Sequence, residues 1–420
     1  MKILFIAAGS GDAFYCCNCF RDNLHAQALR RHGHEVVFMP LYLPVDSYCD
    51  SNNIPTFFGA VSYYIATKWF GKRKLPNWLN RMLNHKSILK QASSLSGTTS
   101  SVGLEDITLS MIYGDDPLFQ SEARKLIDFI RTDGLPDVVH LSNALLIGIA
   151  RSIREELNIP VVCTLQDEHV WIDTMQSGYK EKAWDGIRRN LSYVSKLTTF
   201  SHFYSDYMTQ KLKIADSIDV IYPGVHLSDY SSDVLPDAPT IGFFYRMNSL
   251  DGFDLLVEAF LKVKREGSIP NLKLLAAGGY SKSDIRFVEE MAERLSDFAD
   301  DVTIETKYHP SIHVSFYKRI SVLAVPVTFD EAAGFYLCEA FAAGVPAIEP
   351  ATGSFPEMIE NAGILYSPNS VDALTDAIQR FFADDALMEQ CRQNARELSE
   401  KRYNDELTTK QLLDLYQSLL

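Results

Sequence analysis

The sequence predicts an α/β protein built from two doubly wound, Rossmann-like halves. Three observations lead there. Short apolar runs of strand length alternate with helical stretches from the first residue onward. The alternation pauses at a polar, proline-bearing stretch, Ser228–Pro239, and then starts again. A chain of 420 residues that is 46% hydrophobic is also better served by two cores than by one.

In the first half, Lys2–Ala8 reads as a strand ended by Gly9-Ser10-Gly11. Phe20–His32 is a helix closed by Gly33, and Glu35–Pro40 is a second strand. Ser121–Thr132 is an amphipathic helix, Asp137–Leu141 a buried strand, Leu145–Leu157 a helix and Pro160–Leu165 a strand. Asp185–Leu197 gives another helix, with strands at Leu197–Ser201 and Val220–Tyr222. Continuous apolar strands of this kind suit a parallel sheet covered by helices on both faces. In the second half, strands are expected at Thr240–Tyr245, Leu272–Ala277, Val302–Thr306, Val322–Val327 and Pro346–Ile348. Helices fall at Phe253–Arg265, Ser283–Leu295 and near Ile312–Arg319, with one more opening at Gly334. From Val371 to Leu420 the chain is helical, with breaks at Asp384-Asp385 and Tyr403-Asn404.

The balance of 40 basic against 54 acidic residues, a net charge of −14, argues against a nucleic-acid partner. The charge is unevenly spread: no Asp or Glu occurs between Ser51 and Leu104, where Lys68, Lys72, Arg73, Lys74, Arg81, Lys86 and Lys90 are all basic. Its centre, KWFGKRKLPNWLNRMLN, interleaves Trp69, Phe70, Trp78, Leu79 and Leu83 with cations. That composition suits a surface meeting anionic lipid or a phosphate-bearing acceptor through residues 66–90; it equally suits a helical excursion packed by its aromatics with its cations outward. The seven irregularly spaced cysteines read as reduced thiols. The initial apolar run is too short for a signal peptide, and no stretch approaches the length that spans a bilayer. A cytoplasmic protein is expected, with room for peripheral contact at the inner face of the membrane.

Between Gly334 and Ile348 the chain reads GFYLCEAFAAGVPAI, whose single charged residue is Glu339. A helix apolar on every side belongs in a core, where a carboxylate costs several kcal/mol unless it is compensated. Glu331 precedes it in the loop that feeds the helix. Between the two acids the helix N-terminus should present the amides of Gly334 and Phe335, a setting that attracts phosphate. One acid outside that end and one inside it fit a diphosphate flanked by hydroxyl-rich groups, as in a nucleotide-sugar. Arg246, just after the strand ending at Tyr245, would face the same crevice beyond the strand ends and supply a positive fork, although an Arg capping a strand end is the plainer alternative.

Glu331 and Glu339, with seven residues between them, are followed by AFAAGVP (Ala340–Pro346) and GSFPE (Gly353–Glu357). Together these resemble the signature of family 4 glycosyltransferases of the GT-B fold. LRRHGHEV (Leu29–Val36), DVVH (Asp137–His140), VIYPGV (Val220–Val225) and FYRM (Phe244–Met247) ahead of GFDLLVEAF (Gly252–Phe260) agree in order and spacing. The resemblance implies two Rossmann-like domains with an inter-domain cleft. Residues 1–230 would hold the acceptor, residues 231–400 the nucleotide-sugar, and a final helix over 401–420 would return to the first domain. It implies that Glu331 contacts hydroxyls of the transferred sugar, that Glu339 holds the ribose, that the Gly334 and Phe335 amides meet the diphosphate and that Arg246 neutralises it. Gly9, Ser10 and Gly11 resemble the loop that approaches the diphosphate or the acceptor, an ordinary strand-to-helix turn being the alternative.

Two positions depart from the family pattern. Asp251 stands where members usually carry a Lys, which leaves Lys282 or Lys307 to replace the missing cation. Gln166 stands where a His is common, leaving Asp167 and His169 close enough to touch a sugar, unless Asp167 merely closes a turn on its own backbone. The expected reaction is transfer of a hexosyl group from a UDP- or GDP-sugar to a hydroxyl of a glycan or lipid-linked sugar, with retention and without metal or cofactor, as in polysaccharide biosynthesis. A degenerate relative that binds a nucleotide-sugar or a protein partner without turnover is the alternative, and Asp251 and Gln166 are what favour it. Sugar-nucleotide epimerisation is a further one.

Overall fold

The computed structural model describes residues 1–9, 14–42, 57–58, 62, 65–66, 101, 103–215, 217–230 and 236–420. Ser10, Gly11, residues 231–235 of the linker stretch and the basic segment from residue 67 to 90 lie outside the described residues. The chain forms two units: residues 1–12, 18–221 and 409–420 make the first, and residues 13–17 and 222–408 the second.

The first unit is a parallel six-stranded sheet of β1 (Lys2–Ala7), β2 (Glu35–Pro40), β3 (Val138–Leu141), β4 (Val161–Thr164), β5 (Lys196–Thr199) and β6 (Asp219–Val220) in the order β2-β1-β3-β4-β5-β6. The core strands are buried from end to end, as their unbroken apolar runs require. Ile3, Phe5, Val138 and Val162 pack with Ala26 and Leu29 of the helix Cys17–Arg31, and with Leu412, Leu415 and Tyr416 from the helix Asp405–Gln417. The helix expected at Asp185–Leu197 instead runs over Tyr179–Asn190, because Gly178 opens it with a left-handed φ of +86° and Glu181 caps the Gly178 amide.

The second unit repeats the plan with β7 (Thr240–Phe244), β8 (Lys273–Ala277), β9 (Val302–Ile304), β10 (Val322–Leu323), β11 (Ala347–Pro350) and β12 (Gly363–Tyr366), all parallel, in the order β12-β11-β10-β7-β8-β9. The strand order reverses at β7 and β10, so a crevice opens between their carboxyl ends. The strand expected to reach Val327 stops at Leu323, since Pro326 lacks an N–H and the Val325 amide turns to the Glu349 carboxylate. β12 escaped the sequence reading: GILY is too short to announce itself. Helices at Val371–Ala383, Asp385–Lys401 and Asp405–Gln417 follow, the second capped by Asp384, whose carboxylate accepts from the Leu387 amide. Among the described residues no helix is long and apolar enough to cross a membrane.

Candidate functional site

In the second unit, the loops that leave β7 and β10 carry Arg246 and Glu331 and are pinned to each other. Thr328 donates from both its amide and its hydroxyl to the Leu250 carbonyl, at 3.0 and 2.9 Å. Gly252 has φ +81°, and a Cβ there would lie 2.0 Å from the Pro326 oxygen, so only glycine permits this approach. The loop after β11 fixes Glu331 from the other side: the Ser354 amide donates to the Glu331 carbonyl at 2.9 Å, and a Cβ on Gly353 would sit 2.7 Å from the Glu331 nitrogen. Glu331 is thereby held, buried, just ahead of Gly334, whose left-handed φ of +59° starts the helix Phe335–Ala342.

Arg246 does not stand alone. Its Nε donates to Asp251 at 3.0 Å; the same Asp251 oxygen accepts from Asn248 Nδ2 at 2.9 Å, while the Asp251 amide donates back to Asn248 Oδ1 at 2.8 Å. Burial pushes the Asp251 carboxyl up, and the Arg246 guanidinium pulls it back toward the ionised form. The acid that replaces a lysine is therefore a partner that orients the arginine rather than a bare negative charge. Lys282 and Lys307 are both exposed, on the loops after β8 and β9.

Glu339 is completely buried, one turn inside the helix. Its Oε1 accepts from the Tyr230 hydroxyl at 2.7 Å and faces His313 Nδ1 at 2.6 Å, and its Oε2 accepts from the Tyr15 hydroxyl at 2.9 Å. The compensation that a carboxylate in this apolar helix requires comes from inside the unit, through three side chains distant from it in sequence. Burial first, and then the charge of Glu339 among other neighbours, pushes the Tyr15 and Tyr230 hydroxyls well above their usual range, so both remain donors. A third acid escaped sequence reading. Glu349 of β11 is fully buried with one oxygen on the Val325 amide at 3.0 Å, and burial, reinforced by Glu331, drives it toward the protonated form. Its place in the apolar run AIEP gave no sign of a role.

In the first unit, Gly9 follows β1 with φ +78°. After β4 the chain turns through Asp167, in the left-handed region at φ +52°, into the short helix Glu168–Ile172. His169 is buried, its Nδ1 lying 3.2 Å from the Tyr204 hydroxyl, which in turn donates to Glu168 Oε2 at 2.9 Å. Among the described residues, the buried His169 Nε2 has no hydrogen-bond partner. Gln166, in the histidine's place, donates to the Ser142 carbonyl. Sequence reading also missed Arg21 and Asp22, a buried pair at 3.0 Å whose guanidinium stacks 3.8 Å over Phe200. Among the described residues no group of three or more His, Cys, Asp or Glu side chains could hold a metal ion.

Comparison with known proteins agrees in order along the chain. The model of Glycosyltransferase Family 4 matches residues 104–229, and that of Glycosyl transferases group 1 matches residues 231–398. A D-inositol 3-phosphate glycosyltransferase of Corynebacterium urealyticum is 31% identical over 192 residues, which is 43% of this chain and 43% of the relative. Less than half the length of that relative is therefore matched. YtcC of Bacillus subtilis is 25% identical over 308 residues, 68% of this chain and 73% of its own. Among solved structures, sucrose-phosphate synthase of Thermosynechococcus elongatus superposes with a TM-score of 0.70 at 18% identity, over 100% of this chain and 99% of its own. Anabaena HepE, solved in complex with UDP-glucose, does so with a TM-score of 0.67 at 14% identity over 100% of both chains. Two parallel sheets, a pinned acid loop at the second sheet's switch point and two adjoining family models that together match residues 104–229 and 231–398 place this protein among the family 4 glycosyltransferases, with the GT-B fold.

Proposed function

We propose that the protein transfers a hexosyl group from a UDP- or GDP-sugar to a hydroxyl of a glycan or lipid-linked acceptor, with retention at the anomeric carbon. The observation that carries this reading is that the loop carrying Arg246 after β7 and the loop carrying Glu331 after β10 are pinned to each other, through Gly252, Thr328 and Gly353. In this reading the Arg246 fork, oriented by Asp251, takes the diphosphate; the Gly334–Phe335 turn supports it; Glu331 holds hydroxyls of the departing sugar; and Glu339 takes the ribose. The leaving diphosphate oxygen accepts the acceptor's proton on the same face of the sugar, so no protein nucleophile is required and catalysis rests on positioning and charge. His169 Nε2 and Asp167 would receive the acceptor in the first unit, together with the Gly9 turn after β1. Solved complexes of HepE with UDP and UDP-glucose support uridine as the donor base.

The Arg246–Asp251 pair favours a second reading, binding without turnover, because it lowers the net positive charge offered to a diphosphate. Donor-dependent release of UDP or GDP, measured beside calorimetric binding, separates the two: binding without release establishes the second. If Lys282 or Lys307 restores the missing charge, Lys282→Ala or Lys307→Ala weakens nucleotide binding severalfold. Unchanged affinity in both variants removes the lysines from the site.

A further inference from the structure

Residues 13–17 belong to the second unit, although more than two hundred residues separate them from its remaining chain. Phe14 bridges Gly279, and the Tyr15 amide donates to the Gly278 carbonyl at 2.7 Å, so this short strap lies against the turn that leaves β8. The Tyr15 ring, 2% exposed, is enclosed by Phe244 at 5.1 Å, Tyr245 at 6.0 Å, Tyr308 at 5.9 Å and His313 at 5.0 Å between centroids. Its hydroxyl reaches Glu339, and the Arg246 guanidinium stands 5.3 Å over the Phe14 ring.

We propose that Phe14 and Tyr15 form a built-in plug of the nucleoside site, the Tyr15 hydroxyl standing on Glu339 where a ribose hydroxyl would stand, so that a nucleotide enters only by displacing the strap. The inference rests on the donor reading above. A nucleoside diphosphate needs a flat apolar wall for its base, an acceptor for its ribose and a cation for its phosphates, and the strap covers one of each. A phenol also imitates a nucleoside: an aromatic ring with a hydroxyl that donates to a carboxylate. The exchange is balanced at Glu339. Tyr230 and His313 retain their bonds to Oε1, while Oε2 trades a tyrosine hydroxyl for a sugar hydroxyl. The cost of the closed state then appears as reduced apparent affinity, in proportion to the fraction of molecules that are open.

The test is calorimetric titration of the full-length chain with UDP and with GDP, in the wild type, Tyr15→Phe and Tyr15→Ala, after thermal melts establish that the variants fold. A hydrogen bond to a charged group is worth roughly a ten- to hundredfold change in an equilibrium. Tyr15→Ala should therefore bind nucleotide at least about tenfold more tightly, with Tyr15→Phe in between. Hydrogen exchange on the wild type gives a second readout, since saturating nucleotide should abolish protection of the Tyr15 amide. If the wild type binds nucleotide and Tyr15→Ala binds no more tightly, or if the amide stays protected, the plug is overturned while the donor reading stands. If neither nucleotide binds even to Tyr15→Ala, the donor reading falls and takes the plug with it.

Discussion

Glu339→Leu isolates what the buried carboxylate does for the second unit. Leucine is somewhat larger than glutamate and offers no acceptor, so the principal change is that Tyr15, Tyr230 and His313 lose their common acceptor. Each buried donor left unsatisfied costs roughly 1–3 kcal/mol, and relieving the desolvation of a buried carboxylate returns several kcal/mol. The expected net loss is roughly 2–4 kcal/mol, whereas Glu339→Gln, which keeps one acceptor oxygen, should lose about half as much. Tryptophan fluorescence cannot read this loss, because all four tryptophans, at 69, 78, 171 and 184, lie outside the residues of the second unit. Native-state hydrogen exchange across the helix Phe335–Ala342 can, with the tryptophan signal serving as the control for the first unit. If Leu lowers the opening free energy of that helix by less than about 1 kcal/mol, the three bonds are not what hold it, and the reasoning fails.

Two more outcomes follow from the described geometry. Burial raises Glu168 from 4.5 to about 7, so the folded first unit retains a proton that the unfolded chain has released. That stability is fully present below about pH 4.5 and is lost as pH rises through about 7, a decline of roughly 3 kcal/mol that urea titrations read by Trp171 and Trp184 should show in the wild type and not in Glu168→Gln. Gly353→Ala forces a left-handed residue at φ +57°, costing about 1–2 kcal/mol, and drives a methyl group against the Glu331 backbone. Donor turnover should fall at least tenfold while the thermal midpoint moves only a few degrees; unimpaired turnover would show that the position of Glu331 is not critical.

The strands and most helices were legible because parallel α/β sheets announce themselves as apolar runs alternating with helical periods. Arg246, Glu331 and Glu339 stood out as candidates because polar residues at strand ends and in an otherwise apolar helix are conspicuous locally. Their partners were not. Tyr15 and Tyr230 reach Glu339 across 324 and 109 residues of sequence, and nothing in an aromatic residue's neighbours reveals that its hydroxyl will meet a distant acid. Asp251 shows the opposite limit. Its departure from the family pattern was evident, but its effect depended on a side-chain geometry five residues back, where Arg246 turns an apparent repulsion into an ion pair. The role of Gly353 lay in a close backbone approach that no spacing rule encodes.

The contribution of Leu412, Leu415 and Tyr416 to the same core as Ile3 and Phe5 bears on how the chain is made. Tyr416 also fixes His140, in the strand β3, through a hydroxyl–imidazole contact of 2.6 Å. A nascent polypeptide leaving the ribosome exposes all six strands of the first sheet long before residues 409–420 exist, and until then that sheet lacks part of its hydrophobic cover. The second unit, whose strands emerge later, needs only residues 13–17 from upstream and can close first. Vectorial synthesis therefore leaves the amino-terminal half waiting on the last helix, and that interval is when chaperones have the most apolar surface to grip.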